Sequence, residues 1–303
     1  MSQPQSTHTI AQSLAIIRER INTVAQRAGR SASEITLVAV SKTFPVQAIR
    51  EAIAAGQVDF GENRVEEAAE KIREIGGKKS EVRGQKSEVR SQRAESEAGD
   101  QRSEVRGQRA ESEARNQKQE DRNQEAEVRW HLIGHLQSRK VRDAVGLFDL
   151  IHSVDSLKLA TAINQRIHIS NLESQIASPQ SLLLECNISG EATKSGFALA
   201  GWTTNHAVRD AFLRDVEQMA QLPNVRLRGL MTIAPVFDAG HPDQARQVFA
   251  QLRQLRDALR IEFPQIAWEH LSMGMSDDFE AAIAEGATLV RLGRAIFGER
   301  TYA

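Results

Sequence analysis

Two rhythms of apolar residues alternate along this chain. Ile10, Leu14, Ile17, Ile21 and Val24 recur at helical spacing and predict an amphipathic leading helix over residues 8–29. Ile35 to Val40 then forms a continuous apolar run, the pattern of a parallel strand covered on both faces. Similar runs predict strands at 35–42, 58–63, 129–135, 150–156, 181–189, 226–234, 268–274 and 288–298. Helical patterns separate them. PVQAIREAIAAG carries Pro45 in its first turn and Gly56 as its stop; SDDFEAAIAEG carries Ser276 as cap and Gly286 as stop. Strand and helix alternate through eight units, which predicts an α/β fold, a single TIM-type (β/α)8 barrel with an extra N-terminal helix. An open doubly wound sheet is the competitor, but no dinucleotide-binding glycine fingerprint follows the first strand.

Residues 77–127 break both rhythms. KSEVRGQ and KSEVRSQ are followed by RAESEAGDQ, RSEVRGQ and RAESEARNQ, nearly charge-balanced and almost without large apolar side chains. Such a segment cannot bury enough surface to offset chain entropy, and it has no hydrophobic face on which repeats could stack. It reads as a low-complexity insertion, disordered or a fraying polar helix, interrupting one domain that spans residues 1–303. Function is expected to lie outside it.

Composition narrows the classes of function. The 303 residues are 26% charged and 40% hydrophobic, enough for a large core, and the formal net charge of -1 gives no electrostatic argument for nucleic acid or an anionic membrane. No apolar run approaches a membrane span, and MSQPQSTHTI lacks the basic-then-apolar plan of a secretory signal. Cys186 is the only cysteine, so no intramolecular disulfide forms, and the cytoplasm is the expected compartment.

In a (β/α)8 barrel the site lies at the C-terminal strand ends, so a polar residue closing an apolar strand is where to look. Lys42 closes the first strand, against a base-rate reading as a lysine leaving for solvent. Asn63 ends the second, His131 and His135 the third, Asn187 and Ser189 the fifth, with Met231 and Thr232 near the end of the sixth. LSMGMSDD ends the seventh strand and RLGRAIFG lies in the eighth. Gly274 and Gly293 let backbone N–H groups approach an anion, and Ser272 and Ser276 add hydroxyls. After strands seven and eight is where this fold recurrently binds phosphate. An amine able to form a Schiff base, facing a phosphate cradle, fits pyridoxal 5'-phosphate (PLP), which has both handles. His131 and His135, two positions of one face of a strand, have no carboxylate third ligand nearby, so no metal site is expected.

The segments LVAVSKTFPVQAIREAIAAGQVDFGENRVEEAAEKI, WHLIGHLQSRK, NISGEATKSGF, LRGLMTIAP and LSMGMSDDFEAAIAEGATLVRLGRAIFGER resemble the pyridoxal phosphate homeostasis proteins (the YggS/PROSC group). The resemblance covers the chain outside 77–127. It implies a barrel like the N-terminal barrel of alanine racemase, holding PLP as a Schiff base on Lys42 of AVSK. It implies that Ser272, Gly274, Met275, Ser276, Gly293 and the backbone of Arg294 surround the phosphate, that Asn63 and Met231 border the cofactor, and that Arg291 of VRLG sits beside the pyridine nitrogen. An arginine there keeps that nitrogen unprotonated and weakens the ring as an electron sink. Lys194 of TKSGF matches a family lysine and stands as a secondary PLP site. His135 replaces the proline of the family's usual IGPLQ, a departure in the loop after strand three.

The leading expectation is a PLP carrier or buffer without catalysis, delivering to apo forms of PLP enzymes and monomeric because the racemase dimerisation domain is missing. A PLP-dependent racemase or decarboxylase is the alternative. Two-base racemisation lacks its second base, since the only tyrosine is Tyr302. A class I aldolase would place its lysine on a later strand, and a protein-interaction role has no readable code in this sequence.

Overall fold

Thr9 starts the first helix. Its hydroxyl accepts the Gln12 amide at 3.2 Å while the Gln12 side chain accepts the Thr9 amide at 2.9 Å, a reciprocal cap that fixes the start of α1 (Ile10–Arg27). Leu14, Ile17, Ile21 and Ala25 form its buried stripe. The structure is a computed structural model that describes residues 8–76, 128–174, 178–235 and 242–299. The sequence expectation for 77–127 lies outside the described residues.

Eight parallel strands close on themselves. They are β1 (Thr36–Val40), β2 (Asp59–Glu62), β3 (Arg129–Leu132), β4 (Leu150–Val154), β5 (Gln180–Asn187), β7 (Val225–Met231), β8 (His270–Ser272) and β9 (Leu289–Leu292). Their order is β4-β3-β2-β1-β9-β8-β7-β5, and β4 pairs with β5 to complete the ring. A two-residue strand absent from the sequence reading, β6 (Phe197–Ala198), pairs with the end of β5. Around the ring lie α2 (Val46–Ala54), α3 (Val65–Ile75), α4 (Val141–Ala144), α5 (Leu157–Ser174), α6 (His206–Ala220), α7 (Pro242–Glu262), α8 (Phe279–Ala284) and α9 (Arg294–Phe297).

Several boundaries differ from the sequence reading. The third strand ends at Leu132 rather than His135, and the last strand ends at Leu292 with the remainder forming α9. The expected cap Ser276 lies ahead of α8. A turn through Asp278 intervenes because the Asp278 carboxylate binds the Met275 amide at 2.6 Å, so Asp278 takes the cap position.

Alternation of side chains across each strand makes two cores. Leu37, Ala39, Val290 and Leu292 point outward into the large cluster shared with the helices. Val38, Leu150, Leu183, Met231 and Leu289 point inward and form a separate apolar layer within the ring. Arg291 pairs in register with Val38, so the next inward position of β9 above Leu289 is a cation. Above that layer lies the site.

Candidate functional site

The residues on either side of Lys42 are pinned by side chains from β2 and α3. Lys71 Nζ donates to the Ser41 carbonyl at 2.8 Å, to Glu62 Oε1 at 2.8 Å and to Glu67 Oε1 at 2.6 Å. The Ser41 hydroxyl donates to Glu62 Oε1 at 2.7 Å, and the Thr43 amide donates to Glu67 Oε1 at 2.7 Å. Thr43 is held at φ 68°, the left-handed region that a β-branched residue rarely adopts. The chain thus turns sharply just after Lys42. Burial pushes the Glu62 carboxyl up, whereas for Glu67 hydrogen bonds from Lys71 and the Thr43 amide outweigh burial and hold it down.

Lys42 itself is half-buried in the wall of a cavity of about 520 Å³ at the C-terminal mouth of the barrel. Asn63, Met275, Ser276, Arg291, Gly293, Arg294 and Lys194 line the same cavity. Of the expected site residues, eight therefore meet in one place. Ser276 accepts the Ala295 amide at 3.4 Å and joins the loop after β8 to α9. The Arg294 side chain turns to Asp277 and Glu299. Lys194 donates to Glu191 at 2.8 Å and to the Ile233 carbonyl at 3.2 Å, bridging the loop after β5 to the end of β7.

Ser272, Gly274 and Met231 lie outside that lining. Ser272 is fully buried at the end of β8, accepting from Arg291 Nη1 at 2.5 Å and contacting His152 Nδ1 at 2.9 Å. Met231 belongs to the inner apolar layer. Gly274, at φ 94°, lets the loop pass under α8, where an added Cβ would come within 2.7 Å of Ala282 Cβ. These three support the floor and the loop from below.

Arg291 forms the floor. Besides Ser272, it donates from Nη2 to the Thr232 carbonyl at 3.0 Å. Burial lowers its pKa to about 10, partly opposed by Asp278 and Glu185, so it remains a cation at neutral pH. His152 is fully buried and burial drives it well below the usual imidazole range, which keeps it neutral.

The two histidines expected on one face part company. His131 is buried in the ring against His152 and Asp59. His135 lies beyond the strand end, half-exposed at the mouth, with Nδ1 3.3 Å from Asp155. The period-two rule fails there because pairing stops at Leu132. Gly134 is what permits the crossing of the two strand ends, for a Cβ there would stand 2.4 Å from the Asn63 carbonyl oxygen.

Sequence reasoning missed Glu185, whose position within an apolar strand gave no signal. It lines the cavity, is 7% exposed, and its carboxyl is pushed up by burial. It also missed Lys71, which on helical spacing reads as a solvated lysine.

A parallel eight-stranded barrel with a lysine closing its first strand and an arginine beneath it on its last defines a recognisable class. The family described as alanine racemase, N-terminal domain, matches residues 12–301, and the chain belongs to it. Within that family it is 38% identical over 297 residues to the pyridoxal phosphate homeostasis protein of Escherichia coli K12, covering 97% of this chain and 98% of the relative. It is 35% identical over 290 residues to the protein of the same name from Aquifex aeolicus, covering 95% and 97%. Among solved structures, PipY of Synechococcus elongatus PCC7942 with PLP bound superposes with a TM-score of 0.66 at 31% identity, covering 96% of this chain and 100% of that one. Alanine racemase from Corynebacterium glutamicum shares the fold at 15% identity and a TM-score of 0.54, covering 94% and 61%.

Proposed function

We propose that this protein binds pyridoxal 5'-phosphate reversibly on Lys42 and acts in PLP homeostasis as a carrier or buffer without catalysis of its own. The carrying observation is the placement of Lys42 in one wall of a cavity of about 520 Å³ whose other walls include Ser276, Gly293 and Arg294. The named relatives and the PLP-bound PipY structure support the same reading.

The residues fit the group. Lys42 supplies an amine whose backbone is fixed on both sides, Asn63 borders the space beside it, and Ser276 with Gly293, Arg294 and Met275 forms the phosphate end. When bound, PLP supplies an aldehyde that condenses reversibly with an amine. Arg291, a cation at neutral pH and anchored by two acceptors, stands where it disfavours a proton on a neighbouring ring nitrogen. That arrangement suits storage better than carbanion chemistry. Lys194 serves as a second amine at the mouth, and apo forms of PLP enzymes are the recipients. We assign a monomer in the cytoplasm. No helix among the described residues is long and apolar enough to cross a membrane.

The test is an absorbance spectrum of the purified protein with added PLP, beside Lys42→Ala. A visible band in wild type and its loss in the variant is the expected result; no band in wild type overturns the reading. Turnover assays with free amino acids then separate a carrier from a racemase or decarboxylase.

A further inference from the structure

A single line of hydrogen bonds runs through the interior of the barrel. It starts at Arg291, whose Nη1 donates to Ser272 Oγ at 2.5 Å. Ser272 Oγ lies 2.9 Å from His152 Nδ1, His152 Nε2 lies 2.9 Å from His131 Nδ1, and His131 Nε2 lies 3.0 Å from Asp59 Oδ1. Asp59 also accepts two bonds from Arg129, at 2.8 and 2.6 Å. The five groups from Arg291 to Asp59 are each 5% exposed or less and come from β9, β8, β4, β3 and β2. Arg291 lines the cavity at the mouth, whereas Asp59 and Arg129 line a separate cleft at the opposite end of the barrel with Arg18 and Gln57.

Chemistry gives this line a direction. Arginine has no acceptor, so Ser272 Oγ must accept from it. An ionised aspartate has no donor, so the proton of that contact sits on His131 Nε2. In a neutral His131 with Nε2 protonated, Nδ1 accepts, which places the His152 proton on Nε2 and makes His152 Nδ1 the acceptor for the Ser272 hydroxyl. Every donor then points from the mouth toward the base. A neutral group in place of Asp59 allows the opposite order, in which His152 Nδ1–H and Arg291 both donate to Ser272 Oγ, take up both of its lone pairs and leave its hydroxyl proton without an acceptor in the chain.

We propose that Asp59, at the base of the barrel, is a positioning residue for the arginine of the ligand site. Through this chain it fixes the tautomers of His131 and His152, turns the Ser272 hydroxyl proton away from Arg291, and leaves that oxygen as an undivided acceptor for the guanidinium. The two ends of the barrel are thereby coupled without any movement of the backbone.

Imidazole ¹⁵N NMR of histidine-labelled protein, without added ligand, tests the chain directly. The wild type is expected to show both buried histidines with the proton on Nε2, and Asp59→Asn to change at least His152. Measured in parallel, PLP affinity is expected to fall roughly two- to thirtyfold in Asp59→Asn, the range for substitutions that act on a site through a packed network. Ser272→Ala, a small buried change, is expected to lower affinity similarly while leaving His131 unchanged. A His152 proton on Nδ1 in the wild type overturns the proposal before any variant is made. So does an Asp59→Asn protein with wild-type tautomers and affinity. The affinity readout rests on the PLP reading above, but the NMR readout does not: a wild type that takes up no PLP would refute that reading while the tautomers still decide this one.

Discussion

Replacing Lys71 by methionine separates the support of Lys42 from Lys42 itself. Lys71 is 7% exposed and is bound by the Ser41 carbonyl, Glu62 and Glu67. Glu62 is fully buried, and its second oxygen has no hydrogen-bond partner among the described residues. Removing the cation leaves Glu62 with the Ser41 hydroxyl alone, and breaking such a buried pair from one side costs about 3–5 kcal/mol. A ceiling follows from protonation. A carboxyl with an ordinary pKa of 4.5 accepts a proton at pH 7 for about 3.4 kcal/mol, so the buried group neutralises rather than exceed that cost.

The sign of the pH effect follows from the same state. In Lys71→Met the folded protein carries a proton on Glu62 that the unfolded chain releases above pH 4.5, so stability falls as pH rises through the interval up to the raised folded pKa. We expect a loss of about 3 kcal/mol at pH 7 and about 1 kcal/mol at pH 5, read from urea denaturation at the two values. Adding Glu62→Gln should abolish the difference between the two pH values. A loss below about 1 kcal/mol at pH 7, or one independent of pH, refutes the reasoning.

Two further outcomes are expected. Gly274→Ala must place a Cβ 2.7 Å from Ala282 and 2.9 Å from the Phe279 backbone at φ 94°, so it should destabilise by roughly 2–4 kcal/mol in thermal or urea unfolding. Cys186 is 2% exposed, bonded to the Leu184 carbonyl, and its thiol is pushed well up by burial, so a thiol reagent should modify it many times more slowly in the native protein than in denaturant. Native labelling as fast as unfolded labelling would contradict that placement.

The strands were legible because a sheet buried on both faces leaves continuous apolar runs, and Leu37–Val40 of β1 or Leu182–Leu184 of β5 stand out by eye. Their ends were less so. MSDD looks like a helix cap at Ser276, yet an Asp278 carboxylate reaching back to Met275 takes that place, a contact no local pattern announces. Lys42 was found by position at a strand end, and its gathering with Ser276 and Gly293 follows from barrel closure. Ser272 was read as a ligand group because serine near glycine suggests a cradle, whereas strand alternation carries it into the interior beneath Arg291. His152 and Glu185 are polar residues within apolar runs, and only the identity of their neighbours across the barrel gives them meaning.

Closure of the ring also governs how copies of this protein can meet. Each of the eight barrel strands has a hydrogen-bonded neighbour on both sides, so none offers the open ladder on which a second chain could add. Among the described strands, only Phe197–Ala198 is paired on a single side, and two residues are too short to template an extended segment. Among the described residues, contact with another protein is therefore left to helices and loops. Contact of that kind depends on shape and charge on the outside of the ring and leaves the barrel's own hydrogen bonds intact.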